Sequence, residues 1–101
     1  MSTPLKALGD VDRTIHEPAR LMIVSLLYLV READFNWLLH QTELTKGNLS
    51  AHMAKLEQAG YIDVEKRFQG KMPQTLYRLN KAGRKVLDQY RAAMRKALDY
   101  S

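Results

Sequence analysis

The residues with most chemistry to offer lie between Lys46 and Arg78. Lys46, Gly47, Asn48, Ser50, Ala51, His52 and Lys55 form one short stretch, and Leu49, Met53 and Leu56 interrupt it at helical spacing. A helix pinned to a core by that narrow stripe leaves its small, polar and basic residues facing out. Ammonium groups, an amide, a hydroxyl and an imidazole can meet phosphate oxygens and base edges, so such a helix suits the major groove of a duplex. A second group, Lys66, Arg67, Gln69, Lys71, Gln74 and Arg78, brackets Gly70.

Other chemistries lack their parts. The chain has no cysteine, hence no thiolate nucleophile, disulfide or thiolate metal site. His16, His40 and His52 stand 24 and 12 residues apart, which is not the i, i+4 spacing of a helical ligand pair. No metal and no cofactor are expected. Gly70-Lys71 does not lead into a helix, so it is no phosphate loop. The serines at 2, 25, 50 and 101 have no evident His/Asp partner, and Asp10/Asp12 and Asp63/Glu65 read as surface carboxylates. The chain is therefore not expected to be an enzyme. His16, close to Pro18, reads as a capping or packing residue, and His52 as the histidine placed to touch DNA. Packing is the favoured role of Trp37. A small organic effector held by Trp37, Tyr28 and Phe35 is left open.

The charge agrees with a polyanionic partner. Net charge is +5, but residues 1–45 hold four Lys/Arg against six Asp/Glu, whereas residues 46–96 hold twelve against four. The positive surplus begins where the outward-facing helix begins, and a concentrated field of that sign attracts nucleic acid. An apolar fraction of 46% argues against disorder. No apolar run approaches a membrane span, and Met1–Asp10 lacks the apolar core of a signal peptide. A cytoplasmic protein with no membrane partner is expected.

These groups need elements to hold them. Thr3-Pro4 can start a short turn, with Leu5 and Leu8 as apolar contacts and Gly9 as its end. A second turn covers residues 11–15. Pro18 suits the first position of a helix reaching about Glu32, with Ala19, Met22, Ile23, Leu26, Leu27 and Val30 on its core face. Leu21, Val24, Tyr28 and Leu29 are apolar too, so that helix needs cover on more than one side. Asn36 can cap a helix over 37–42, and Thr45 one over 46–59 that Gly60 stops in a left-handed turn. A strand then alternates from Tyr61, with Ile62, Val64 and Phe68 on one face. A five-residue tip at 69–73 returns into a strand whose Thr75, Tyr77 and Leu79 share a face. Asn80 can cap a last helix over 81–100, apolar at Val86, Leu87, Tyr90, Met94, Ala97 and Leu98.

The fold class is thus mainly α with a small β-hairpin. One domain over residues 1–101 forms a winged helix-turn-helix, with the helix pair at about 37–59, the wing at about 61–79 and a dimerisation helix at about 81–100. Helical dimerisation elements are expected at both termini. Leu5, Leu8, Leu21, Val24, Tyr28, Tyr90, Met94, Ala97 and Leu98 lack partners in a lone winged helix and are expected to pack across a two-fold axis.

Ile15-His16-Glu17-Pro18-Ala19-Arg20-Leu21, Leu44-Thr45-Lys46-Gly47-Asn48-Leu49-Ser50-Ala51-His52, Lys55-Leu56-Glu57-Gln58-Ala59-Gly60-Tyr61-Ile62 and Gly70-Lys71-Met72-Pro73-Gln74-Thr75-Leu76-Tyr77-Arg78-Leu79 resemble the compact winged-helix transcriptional regulators, small relatives of the MarR and ArsR repressors. The resemblance covers about residues 10–98, with its pieces in order. It implies a homodimeric, sequence-specific double-stranded DNA-binding regulator. By the same resemblance Lys46, Gly47, Asn48, Ser50, Ala51, His52 and Lys55 fall on the recognition helix. Lys66, Arg67, Gln69, Gly70, Lys71 and Gln74 fall on the wing. Lys46, Lys55, Arg67, Lys71 and Arg78 would contact phosphates, and Asn48, Ser50, Ala51 and His52 would read bases. Ala51 is shorter than the residue such regulators often carry at the most exposed slot, though its methyl could meet a thymine methyl. The rival is a winged helix that docks on proteins in a larger assembly, or one that binds RNA. Against the first, the third helix offers no apolar anchor. Against the second, the alternation turns Phe68 inward and leaves no aromatic platform.

Overall fold

Helix boundaries in this chain are set by side chains that satisfy the first free amides. In the computed structural model, which describes residues 4–99, Glu17 caps α1 (Pro18–Val30), its carboxylate accepting from the amides of Ala19 at 3.1 Å and Arg20 at 2.7 Å. Asp34 caps α2 (Phe35–Thr42), accepting from the Trp37 amide at 2.7 Å. That helix therefore starts ahead of the expected cap Asn36, which lies inside its first turn. Thr45 caps α3 (Lys46–Gln58) through the Asn48 amide at 3.1 Å, and Asn80 caps α4 (Lys81–Leu98) through the Gly83 amide at 2.9 Å. Before them runs a 3-10 helix, Pro4–Asp10, which continues one residue past Gly9. The expected role of Thr3 and the extension of the last helix to Tyr100 lie outside the described residues.

Three strands form one antiparallel sheet in the order β1-β3-β2. β1 (Ala33–Asp34) pairs with β3, Ala33 opposite Tyr77; it has two residues and no alternation, so nothing local announces it. β2 (Ile62–Gln69) and β3 (Met72–Leu79) pair from Ile62 opposite Leu79 to Gln69 opposite Met72. The hairpin is thus tighter than the expected five-residue tip. Only Gly70 and Lys71 connect the strands, and Gly70, at φ +63, occupies the first turn position. Pro73 is tolerated inside β3 because the strand has a single partner beyond β1.

The core gathers Ile15, Ile23, Val24, Leu27, Leu38, Leu49, Met53, Leu56, Ile62, Tyr77, Leu79, Leu87 and Tyr90. α1 lies at its centre, packed against α2, α3, α4 and β3. Its buried face is Ile23, Val24 and Leu27, while Met22 and Val30, expected inside, are each 38% exposed. α4 runs beside the N-terminal 3-10 helix and touches the sheet at β3, where Gly83 meets Leu79 and the Tyr61 carbonyl just ahead of β2. A Cβ on Gly83 would stand 2.2 Å from the Tyr61 carbonyl oxygen, so only glycine lets the helix approach so closely. The expectation that Phe68 points inward fails: it is 72% exposed, because the hairpin runs on past the end of its core.

Candidate nucleic-acid interface

α3 is held by Leu49, Met53 and Leu56 alone. At 100° per residue, the opposite side carries Gly47, Ala51, Ala54 and Gln58, all exposed. Asn48, His52 and Lys55 flank this ridge towards the start of α1, and Lys46, Ser50 and Glu57 flank it towards the sheet. Two concavities border the helix. One, about 380 Å³, lies between α3 and the sheet, lined by Ser50, Ala54 and Glu57 on one wall and Val64, Lys66 and Thr75 on the other. A second, about 440 Å³, runs from Lys55 and Gln58 to Arg13, Thr14 and Arg20. Ala54 and Gln58 were missing from the sequence reading, although helical arithmetic alone would have found them. Arg13 sits in a turn with no pattern to mark it.

His52 is tied down. Its Nδ1 lies 3.1 Å from the Arg20 guanidinium and 3.7 Å from the Glu17 carboxylate, and Arg20 Nε donates to the Thr14 carbonyl at 2.6 Å. A guanidinium only donates, so Nδ1 accepts and the ring proton sits on Nε2, the one donor His52 can still offer. Burial alone would raise the Glu17 carboxyl. The amides of Arg20 and Ala19, with the charge of Arg20, outweigh it and hold the group below the usual carboxylate range. His16 does not cap the helix, since Glu17 does; His16 is exposed, with its Nδ1 and the Tyr90 hydroxyl hydrogen-bonded at 2.8 Å.

The wing splits its residues between two faces. Lys66 and Phe68 continue the face of Val64 and Tyr77, on the α3 side. Arg67, Gln69, Gln74 and Arg78 share the outer face. There Gln74 donates to Asp34 at 3.1 Å and accepts from Arg67 at 3.2 Å, and Arg67 pairs with Glu65 at 3.6 Å. Arg78 corrects the expectation of a phosphate contact. Its guanidinium is 2.8 Å from Glu32 and 3.1 Å from Glu65, and the hydrogen bonds it donates to Glu65 and Glu32 raise its pKa further. Two carboxylates already neutralise it, on the face away from α3. Among the described residues, no carboxylate lies within ion-pair distance of Lys46, Lys55, Lys66 or Lys71.

The three aromatics considered for an effector do not converge. Arg84 and Arg91 lie over the Tyr28 ring, 5.1 and 5.7 Å from its centroid. Trp37 borders an outer groove with Arg67 and Gln74, and Phe35 borders the groove beside α3. A separate concavity of about 500 Å³ lies between the 3-10 helix and α4, bordered by Asp12, Tyr61, Lys85 and Tyr90, remote from α3. Among the described residues no cluster of three metal-ligating side chains occurs. The expected dimer set is also corrected in part. Val24 has no exposed surface, and Tyr90 at 7% and Ala97 at 2% belong to the chain's own packing. Leu21, Tyr28 and Met94 are half-buried. Leu5, Leu8 and Leu98 remain exposed, and Leu29, at 76%, joins them.

A family model described as a winged helix DNA-binding domain matches residues 19–98. An uncharacterized protein of Methanocaldococcus jannaschii is 32% identical over 71 residues, spanning 70% of this chain and 77% of that protein. The structure of a transcriptional regulator homologue from Pyrococcus horikoshii OT3 superposes with a TM-score of 0.86 at 25% identity, over 95% of this chain and 94% of the other. A PadR family transcriptional regulator from Eggerthella lenta DSM 2243 shares the fold, with a TM-score of 0.67 at 24% identity over 84% and 82% of the two chains. Among the described residues no helix is long and apolar enough to cross a membrane. A capped, outward-facing third helix beside a basic hairpin, matched by the family model over most of its length, places this chain in the winged-helix family of DNA-binding regulators, with double-stranded DNA as its partner.

Proposed function

We propose that this chain is a cytoplasmic homodimeric repressor that reads a pseudo-palindromic duplex, with α3 in the major groove and the wing on the neighbouring backbone or minor groove. One observation carries the reading. On α3 and the wing, Lys46, Lys55, Lys66 and Lys71 have no carboxylate within ion-pair distance among the described residues, while Arg78 on the outer face is neutralised. Lys46, Lys55, Lys66 and Lys71 would meet phosphates, with Arg67 and Gln69 beside them at the wing. Asn48, Ser50 and His52 would read base edges. Gly47, Ala51 and Ala54 would let the helix axis approach the bases closely, with the alanine methyls available to thymine methyls.

Dimerisation has independent support. The Cα radius of gyration is 15.3 Å, against about 13 Å for a compact domain of about 100 residues. Leu5, Leu8, Leu29 and Leu98 expose apolar surface that a second copy would cover. Two copies related by a two-fold axis would present two α3 helices about one turn, ~10 bp, apart. Repression by occupancy asks only that such a pair hold a promoter tightly.

Selection of bound duplexes from a random pool tests this. The expected result is an enriched pseudo-palindrome with half-sites about one turn apart, bound by a species that sediments as a dimer. Leu98→Glu and Leu29→Glu, both at exposed positions, should shift that species towards monomer and weaken operator binding. Recovery of no enriched duplex, or a chain that stays monomeric at micromolar concentration, would overturn the proposal.

A further inference from the structure

Among the described residues Phe68 is the one aromatic side chain left exposed. It is 72% exposed, on a hairpin that continues five residues past Val64, roughly 15 Å of strand. Single exposed apolar residues are common and need no explanation. The surroundings of this one differ. From Lys66 to Arg78 the chain carries no Asp or Glu; Lys71 lies in the turn beyond the ring, while Arg67 on the outer face pairs with Glu65. Phe68 shares its face with Lys66, which lines the groove beside α3. Met72, 70% exposed, lies on the opposite face. The backbone of Phe68 is paired: Pro73 stands directly across the ladder, and a two-residue turn closes the strands just beyond it.

An apolar ring near the tip of a hairpin that carries Lys66 and Lys71, unpaired among the described residues, fits a polyanion that also offers an apolar interior. Stacked base pairs behind a phosphate backbone are such a partner. We propose that Phe68 is a minor-groove wedge, inserted between two base pairs at the flank of each half-site, unstacking that step and bending the duplex. Lys66 and Lys71 hold the strands on either side while the ring enters. The proposal rests on the DNA-binding mode above and adds a deformation of the DNA to it. Steps that unstack easily, such as TA and CA, would be favoured at the flank although no hydrogen bond reads them.

The test uses a duplex of about 30 base pairs carrying the selected site, with 2-aminopurine placed at each flanking step in turn and a dye pair at the ends. Binding of the full chain should brighten 2-aminopurine at one step per half-site and shorten the dye-to-dye distance. Phe68→Ala, at an exposed position, should fold normally, bind about tenfold more weakly, and lose both signals. Phe68→Leu, which keeps an apolar wedge, should retain them. The inference is overturned if wild-type binding brightens no flanking position, if brightening survives Phe68→Ala or is lost in Met72→Ala instead, or if Phe68→Ala shifts the dimer towards monomer, making Phe68 a subunit contact. Failure to enrich any duplex would instead remove the underlying DNA-binding mode.

Discussion

Gly83→Ala separates helix propensity from packing, because the two predict opposite signs. Alanine in a helix is favoured over glycine by at most about 1 kcal/mol. At Gly83 the new methyl would stand 2.2 Å from the Tyr61 carbonyl oxygen and 2.5 Å from Leu79 Cδ1. Relief requires α4 to withdraw by about 1 Å, and overpacking of that kind costs roughly 1–3 kcal/mol. The same carbonyl accepts the Asn80 amide at 3.1 Å, and weakening that bond adds about 1 kcal/mol. The net expectation is a loss of about 2 kcal/mol, or a melting temperature lower by about 10 °C in a domain of this size. Thermal and urea unfolding followed by circular dichroism measure it. Gly47→Ala is the control: nothing lies within 4 Å of its Cβ position, so it should be neutral or more stable by up to about 1 kcal/mol. A Gly83→Ala variant as stable as the wild type would refute the close approach of α4 to Tyr61 and β3.

Lys71→Ala should weaken binding to all duplexes alike and reduce the slope of log K against log salt by about 0.9; an unchanged slope would take Lys71 off the phosphates. Arg78→Ala should leave that slope intact, since Glu32 and Glu65 already occupy the guanidinium, and a fall by a full unit would show that DNA competes for it. Asn48→Ala should relax preference at one or two positions of each half-site, by about 1–3 kcal/mol, as seen by competition among single-base variants of the selected duplex. Tyr61 donates to the Asp12 carboxylate, and that bond, with burial and the Asp12 charge, pushes its pKa from 10.0 up to about 12. A folded pKa above the unfolded one gives stability that is complete below pH 10.0 and lost as pH rises through about 12. Tyr61→Phe should therefore be the less stable protein at neutral pH, by roughly 1 kcal/mol, and the gap in urea midpoint should close across that alkaline window.

What the sequence made legible was chemistry completed within a few residues. Thr45 and Asn80 bond amides three positions on, Pro18 opens α1, and Gly60 turns left-handed at φ +80, each readable without the fold. The stripe at Leu49, Met53 and Leu56 was equally local, and it located the exposed side of α3. Failures came where the outcome depends on distant partners. β1 exists because β3 passes beside Ala33, and Asp34 rather than Asn36 caps α2 where that pairing ends. Alternation placed Phe68 on the correct face of β2 but could not tell where the core beneath that face stops. Arg78 was readable as a cation. Its neutrality as a contact depends on Glu32, which only the sheet brings near.

The carboxylates around Arg67, Gln74 and Arg78 have a kinetic consequence. Glu32, Glu65 and Asp34 cancel or occupy the polar groups on the outer face of the sheet, whereas nothing cancels Lys46, Lys55, Lys66 and Lys71 on the other side. The two sides of the sheet are therefore electrically unequal, the α3 side being the more positive. A diffusing copy near a duplex feels a torque as well as an attraction, and it turns α3 towards the grooves before any contact forms. Such pre-alignment relaxes the orientational constraint that otherwise holds association well below the diffusion limit, and its advantage fades as salt shortens the range of the field. Removing Glu32 or Glu65 would leave the bound complex with the same contacts and would lengthen the search, by giving the protein a second, unproductive side to present.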